Sequence, residues 1–323
     1  MTGRAAKSLI AAVAILGAAA PTAAASTLKG TPSVYTFGEG VVSDDGSTRF
    51  VTIGAGDKTV VMAIATDGGE VNDHTTTTGT YTVPAIAVDG TASGISEDGE
   101  TLALISPRTT FAQNTTDLQL YEARKLRRGP ENITLKGDFG FDALSPDGRT
   151  LYLIEYTDPR DPGAYQVRSY DVTSGQLDPD PILDSEEEPG EMRGFPQTRL
   201  TSPDGRWEYT LYDGGEHPFI HALDVVDGVT LCIDLDMIHA RQTYGATLAM
   251  NADESTIELT DRKGILRAVM DPETHAVSEP GEEPEPTAAP AEPEDSGLEA
   301  AGIAAGALVL MALAAVGIRR MRR

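Results

Sequence analysis

Asp142 and Arg199 each stand three residues ahead of an S-P-D-G quartet. A carboxylate and a guanidinium at matching points of two repeats can form a charge-assisted pair. Aligning the weaker copies of the quartet puts Gly40, Ser93 and Leu248 at the same point, with Glu39 beside the first. Two chemistries follow. Glu39, Asp142 and Arg199 would line a central channel and contact a polar ligand or peptide, or Asp142 and Arg199 would tie neighbouring repeats together as an internal ion pair.

Other candidate chemistry is thin. His217 and His221 in HPFIH would share one face of a strand, but no third ligand stands nearby to complete a metal site. GAGDKT at 54–59 lacks the glycine spacing of a phosphate loop and reads as a hairpin turn. H-E-x-x-H, G-x-S-x-G and paired cysteines are absent, so no cofactor or metal is expected. Cys232, the only cysteine, rules out a disulfide within the chain and reads as a buried, inert thiol in the strand VTLCIDL. The acidic run DSEEEPGE at 184–191 lacks the spaced ligands of an EF-hand loop and reads as solvated loop.

The elements that must position Asp142 and Arg199 are repeats. SPDGRTLYLIEY begins at Ser145 and SPDGRWEYTLYD at Ser202, with weaker copies at Ser43 (SDDGSTRFVTIG), Ser96 (SEDGETLALISP) and Asn251 (NADESTIELTD). Proline presets φ in a type I turn, aspartate suits the next position, and glycine accepts the positive φ that closes a hairpin. A strand should follow each quartet. In the third copy Leu151 and Leu153 alternate with Tyr152, Ile154 and Tyr156, the pattern of a strand covered on both faces. A second strand and turn come next, as in YQVRSYDVTSGQL from Tyr165 and FIHALDVVDGVTL from Phe219, and a short inner strand such as GFDAL precedes. With a less legible outer strand, each period of about 50 residues makes a four-stranded unit.

LSPDGRTLYLIEY followed by YQVRSYDVTSGQL resembles the blade repeat of TolB-like and YVTN-type β-propellers, relatives of the WD-repeat fold. The similarity covers roughly residues 36–278 and is weakest in the fifth copy, where Glu254 replaces the turn glycine. It implies an all-β propeller of about five four-stranded blades around an axis. Six are possible if 71–92 or 178–197 hides another.

The flanking segments point to a compartment. Residues 1–25 carry Arg4 and Lys7, an apolar run and an A-x-A site at Ala23 and Ala25, the pattern of a secretory signal peptide. Residues 26–278 would form the propeller ectodomain, and 279–298, rich in proline and carboxylates, an extended stalk. A transmembrane helix is expected over 299–318, where 300–318 holds no charge, with the basic tail 319–323 on the cytoplasmic side. LEAAG from Leu298 lacks the threonine of a wall-sorting site, so membrane retention is favoured over transfer to the wall. Arginine far outnumbers lysine and alanine is abundant, a usage resembling that of high-GC actinobacterial proteins.

The formal net charge of −25 disfavours nucleic acid and suits an extracellular surface. The expected partners are therefore an extracytoplasmic protein or polar ligand, and the membrane through the C-terminal helix. Without a visible nucleophile–base set, the favoured function is a non-enzymatic binding module on a stalk. The alternative follows from the resemblance, because some similar propellers are hydrolases or lactonase-like enzymes with a metal among channel carboxylates. Glu39, Asp142 and His217 are the residues available for that role.

Overall fold

A side-chain clamp explains the repeated quartet. Ser145 Oγ donates to Asp147 Oδ1 at 2.8 Å, Asp147 accepts the Arg149 amide at 3.1 Å, and Ser145 Oγ accepts the Thr150 amide at 2.9 Å. The same serine–aspartate bond recurs at 2.7, 2.6 and 2.6 Å in the copies at Ser43, Ser96 and Ser202. Gly46, Gly99, Gly148 and Gly205 all take φ of 66–68°. In the fifth copy Asn251 stands in for serine and accepts the amides of Ser255 and Thr256 at 2.9 and 3.2 Å. Glu254 there takes φ 58°, a left-handed conformation forced on a residue with a Cβ.

The computed structural model describes residues 39–184, 192–215 and 217–281. Five antiparallel sheets follow one another in chain order. The first runs β1 (Val41–Val42), β2 (Thr48–Ala55), β3 (Lys58–Ala65) and β4 (Val71–Thr78). GAGDKT lies at the β2–β3 hairpin, with Ala55 paired to Lys58 across Gly56 and Asp57. The second contains β5 (Thr101–Ile105), β6 (Thr115–Glu122) and β7 (Glu131–Lys136). The third runs β8 (Phe139–Leu144), β9 (Thr150–Asp158), β10 (Asp161–Asp171) and β11 (Gln176–Leu177), with β12 (Met192–Arg193) also on β10. The fourth is β13 (Pro196–Thr201), β14 (Trp207–Tyr212), β15 (Phe219–Asp224) and β16 (Val229–Asp234). The fifth is β17 (Thr247–Met250), β18 (Ile257–Thr260), β19 (Leu266–Met270) and β20 (Val277–Ser278). Successive antiparallel meanders of this kind are the blades of a β-propeller.

Residues that alternate along a middle strand pack against different neighbours. Leu102 and Leu104 of β5 join Phe50 and Val61 of the first sheet, whereas Ala103 joins Leu151 and Leu153 of the third. On β9, Tyr152 and Ile154 face the fourth sheet. Tyr209 and Leu211 of β14 face the fifth. Four of the five junctions of a ring are thereby filled. Among the described residues no core cluster spans the fifth and first sheets. The first sheet's outer face leaves Ile53 exposed and Val51, Val60, Met62 and Ile64 half-buried.

The second sheet departs from the expected pattern. Its inner edge is interrupted: Thr82 bridges Ile105 and Ile95 bridges Leu102, while residues 84–92 leave the sheet as a small hairpin closed by an Ala85–Ala92 bridge. That hairpin reaches the fourth sheet, where the Val88 amide donates to Pro196 O at 2.9 Å and the Asp89 amide to Gln197 O at 3.2 Å. The two stretches that might have hidden a sixth blade are thus accounted for among the described residues. Residues 71–78 are an outer strand, 84–92 cross to the fourth sheet, and 176–177, Ile182 and 192–193 share the third sheet's outer position.

The expected signal peptide (1–25), transmembrane helix (299–318) and tail (319–323) lie outside the described residues, as does the stalk beyond Gly281. Among the described residues no helix is long and apolar enough to cross a membrane. Glu254→Gly should stabilise the chain by about 0.5–1 kcal/mol, the left-handed penalty less the extra unfolded-state entropy of glycine. A higher urea midpoint at unchanged slope is the expected reading.

Candidate functional site

Asp142 is an extra residue in β8: Phe141 pairs with Leu153 and Ala143 with Tyr152, leaving Asp142 at a bulge. Bulges re-aim side chains and free backbone groups, and here both are used. Arg199, paired with Thr210 in β13–β14, donates from Nη1 to the Asp142 carbonyl at 2.6 Å and from Nη2 to Asp142 Oδ1. Its Nε donates to Thr210 Oγ1 at 2.7 Å. The side chains are only 3% (Arg199) and 2% (Asp142) exposed. The expected pair therefore exists, as a buried link between the third and fourth sheets.

Polar groups gather around it. Burial pushes the Glu208 carboxyl above its usual range, opposed by Arg199 and by the Thr201 hydroxyl, which donates to Glu208 at 2.8 Å. Tyr165 and Tyr212 stack with ring centroids 5.0 Å apart, and burial raises both phenols. His221 meets Tyr212 edge-on at 6.2 Å, and neither of its ring nitrogens has a hydrogen-bond partner. Burial pushes His221 down to about 4, so the ring is neutral at pH 7.

Beside this cluster lies a cleft of about 140 Å³ between the second, third and fourth sheets, roofed by the 84–92 hairpin. Its walls are largely apolar and aromatic, among them Ile86, Ile105, Phe141, Ile154 and Phe195, and Asp142, Tyr165 and Tyr212 belong to its lining. Arg108 supplies a cation on the loop after β5. Its guanidinium lies 4.1 Å from the Tyr156 ring centroid and donates from Nε to Asp138 Oδ1 at 2.8 Å. The other Asp138 oxygen accepts the Gln113 amide at 2.9 Å, pinning the loop to the third sheet. Among the described residues no histidine, cysteine or lysine lines the cleft.

The other expected site residues lie elsewhere. Glu39 does not join Asp142 and Arg199: its side chain is 93% exposed on the first sheet, 3.8 Å from Arg49. The short β1 places the residue before Gly40 at the sheet's open end. His217 and His221 do not share a strand face, because β15 begins only at Phe219; His217 is exposed and His221 buried. Glu39, Asp142 and His217 consequently do not converge, and the described residues contain no group of three His, Cys, Asp or Glu side chains able to hold a metal. Cys232 is half-buried rather than fully buried, with Sγ 4.0 Å from Met192 Sδ. Arg108, Asp138 and the hairpin escaped sequence reasoning.

No family model matches the chain, and no curated protein matches it. Similar solved structures include hydrazine synthase from Kuenenia stuttgartiensis, at 16% identity over 79% of this chain and 69% of that one, with a TM-score of 0.46. TolB from Acinetobacter baumannii is similar at 13% identity over 73% of this chain, which spans 54% of TolB, with a TM-score of 0.40. Prolyl oligopeptidase B from Galerina marginata is similar at 15% identity over 76% of this chain and 33% of the peptidase, with a TM-score of 0.47. The β-propeller assignment rests on the order and packing of this chain's own sheets.

Arg199→Ala strands Asp142 in the interior and should destabilise by about 3–5 kcal/mol, whereas Asp142→Leu combined with Arg199→Met should lose far less. Equal losses in urea unfolding would show that the two charges do not act as a unit. For His221, the unfolded chain takes up a proton between pH 6.5 and about 4 that the folded chain refuses. Stability should fall as pH drops through that window, by roughly 3 kcal/mol. His221→Phe should flatten that part of the pH–stability curve.

Proposed function

We propose that this chain is a membrane-anchored β-propeller on the extracytoplasmic face of the cell, acting as a non-enzymatic binding module. The cleft carries the reading. Apolar and aromatic walls with a few fixed polar groups are the make-up of a ligand pocket. The cleft's carboxylate, Asp142, is engaged by Arg199 rather than free for acid–base work. Its partner is an extracytoplasmic protein or ligand; the net charge of −25 argues against nucleic acid.

Sequence features support the location. The A-x-A pattern ahead of Ser26 marks export, the uncharged run 300–318 is long enough for a bilayer core, and the arginines after it favour the cytoplasmic side.

Two measurements test these parts separately. Deleting 299–323 should move the protein from the membrane fraction to the medium, and retention on the membrane would refute the anchor. Val88 is an exposed residue of the cleft lining that hydrogen-bonds the fourth sheet through its backbone amide, so Val88→Trp should fill the cleft and keep that bond. Aromatic fragments detected by ligand-observed NMR should bind the wild type and lose binding in Val88→Trp. Fragments that bind both alike would place recognition elsewhere.

A further inference from the structure

We propose that the cleft receives a ligand with an apolar, ring-sized body and a primary ammonium head, and that Asp142 is the acceptor of that head. The inference rests on the reading of the cleft as a binding site and adds the chemistry of what enters it.

Asp142 uses Oδ1 for Arg199, but Oδ2 is buried with no hydrogen-bond partner. A buried carboxylate oxygen without a donor is costly, and native folds rarely leave one unexplained. Tyr165, on the same lining, buries a hydroxyl that meets the Tyr212 side chain and keeps acceptor capacity. An ammonium brings three donors and no acceptor, so it can serve both oxygens at once. A guest with one hydroxyl has a single donor, and a carboxylate guest would be repelled.

Charge balance points the same way. Two buried carboxyl groups, Asp142 and Glu208, stand near one guanidinium, Arg199. Arg199 is divided between them and leaves Asp142 Oδ2 unserved, the place a cationic guest would fill. The cleft's other cation, Arg108, is already matched by Asp138 and stacked on Tyr156, so it does not call for an anion. The protein's net charge of −25 adds a long-range pull on cations.

The size of the body follows from the walls. A cleft of about 140 Å³ is close to the apolar cavities of roughly 150 Å³ that admit benzene. Aromatic side chains such as Phe141 and Tyr156 suit both a ring and the approach of a cation. Asp142 Oδ2 and the Tyr165 hydroxyl are closed to bulk water, so the head must part the lining to reach them and arrives stripped of water. In that setting an ion pair discriminates strongly against a neutral isostere.

Isothermal titration calorimetry of the full-length chain with three probes tests this: 2-phenylethylamine, neutral 2-phenylethanol and anionic 3-phenylpropanoate. The amine should bind at least about tenfold tighter than the alcohol, and the anion should bind weakest. Asp142→Asn keeps an oxygen for Arg199 and should erase the amine's lead, while Tyr165→Phe should reduce it and Val88→Trp should abolish binding. If Asp142→Asn does not fold, the wild-type ranking and Tyr165→Phe decide. Alcohol or anion binding as tightly as the amine, with sensitivity to Val88→Trp, overturns the ammonium head and leaves the cleft as a binding site. Amine preference that survives in folded Asp142→Asn overturns the role of Asp142. Binding of all three that ignores Val88→Trp overturns both readings.

Discussion

A strand that is apolar on both faces has one stable place in water, which is between two other sheets. β9 states the constraint most plainly: Leu151 and Leu153 pack toward the second sheet while Tyr152 and Ile154 pack toward the fourth, and all four are buried. Neither neighbour can be removed without exposing one side of it to water. Sheets that follow one another in the chain supply those neighbours. Among the described residues the first sheet's outer apolar face has no sheet against it.

Most junctions are hydrophobic, and the one between the third and fourth sheets is mixed. There Asp142, Arg199, Glu208 and His221 are buried among tyrosines. Ion pairs of this kind contribute little net stability once desolvation is counted, but they forbid misalignment, because a slipped pair leaves bare charge inside. The geometry depends on the Asp142 bulge, which lets one arginine reach a carbonyl and a carboxylate of the same residue. Stability comes from the leucines and tyrosines; the pair and its hydrogen bonds set the register between two blades.

The cleft arises from a local failure of the repeat. Had the second sheet kept a continuous inner strand, residues 84–92 would have lain along its edge. They instead bridge to Pro196 and Gln197 of the fourth sheet and cover a space walled by three sheets. The loop that carries Arg108 is held over the third sheet by Asp138, which engages both a guanidinium and a backbone amide. The cleft therefore sits where irregular segments meet rigid strands, and the regular clamps at the opposite ends of the inner strands keep those strands in place.

The amino-acid sequence by itself determined the repeats, most of the strands and the matching positions of Asp142 and Arg199. Each of these depends on local spacing: S-x-D-G closes a turn through its own side chains, alternation declares a two-sided strand, and equal offsets from two turns place two residues at equivalent heights. The tertiary structure alone decided that Glu39 stands apart, that His217 and His221 separate at a strand boundary, that the pair is sealed from water, and that a hairpin from the second repeat crosses to the fourth. Those outcomes depend on where chain ends, bulges and insertions fall in three dimensions. Burial of a charge, and the shape of a cleft, are properties of several distant segments together, and no stretch of residues read in order contains them.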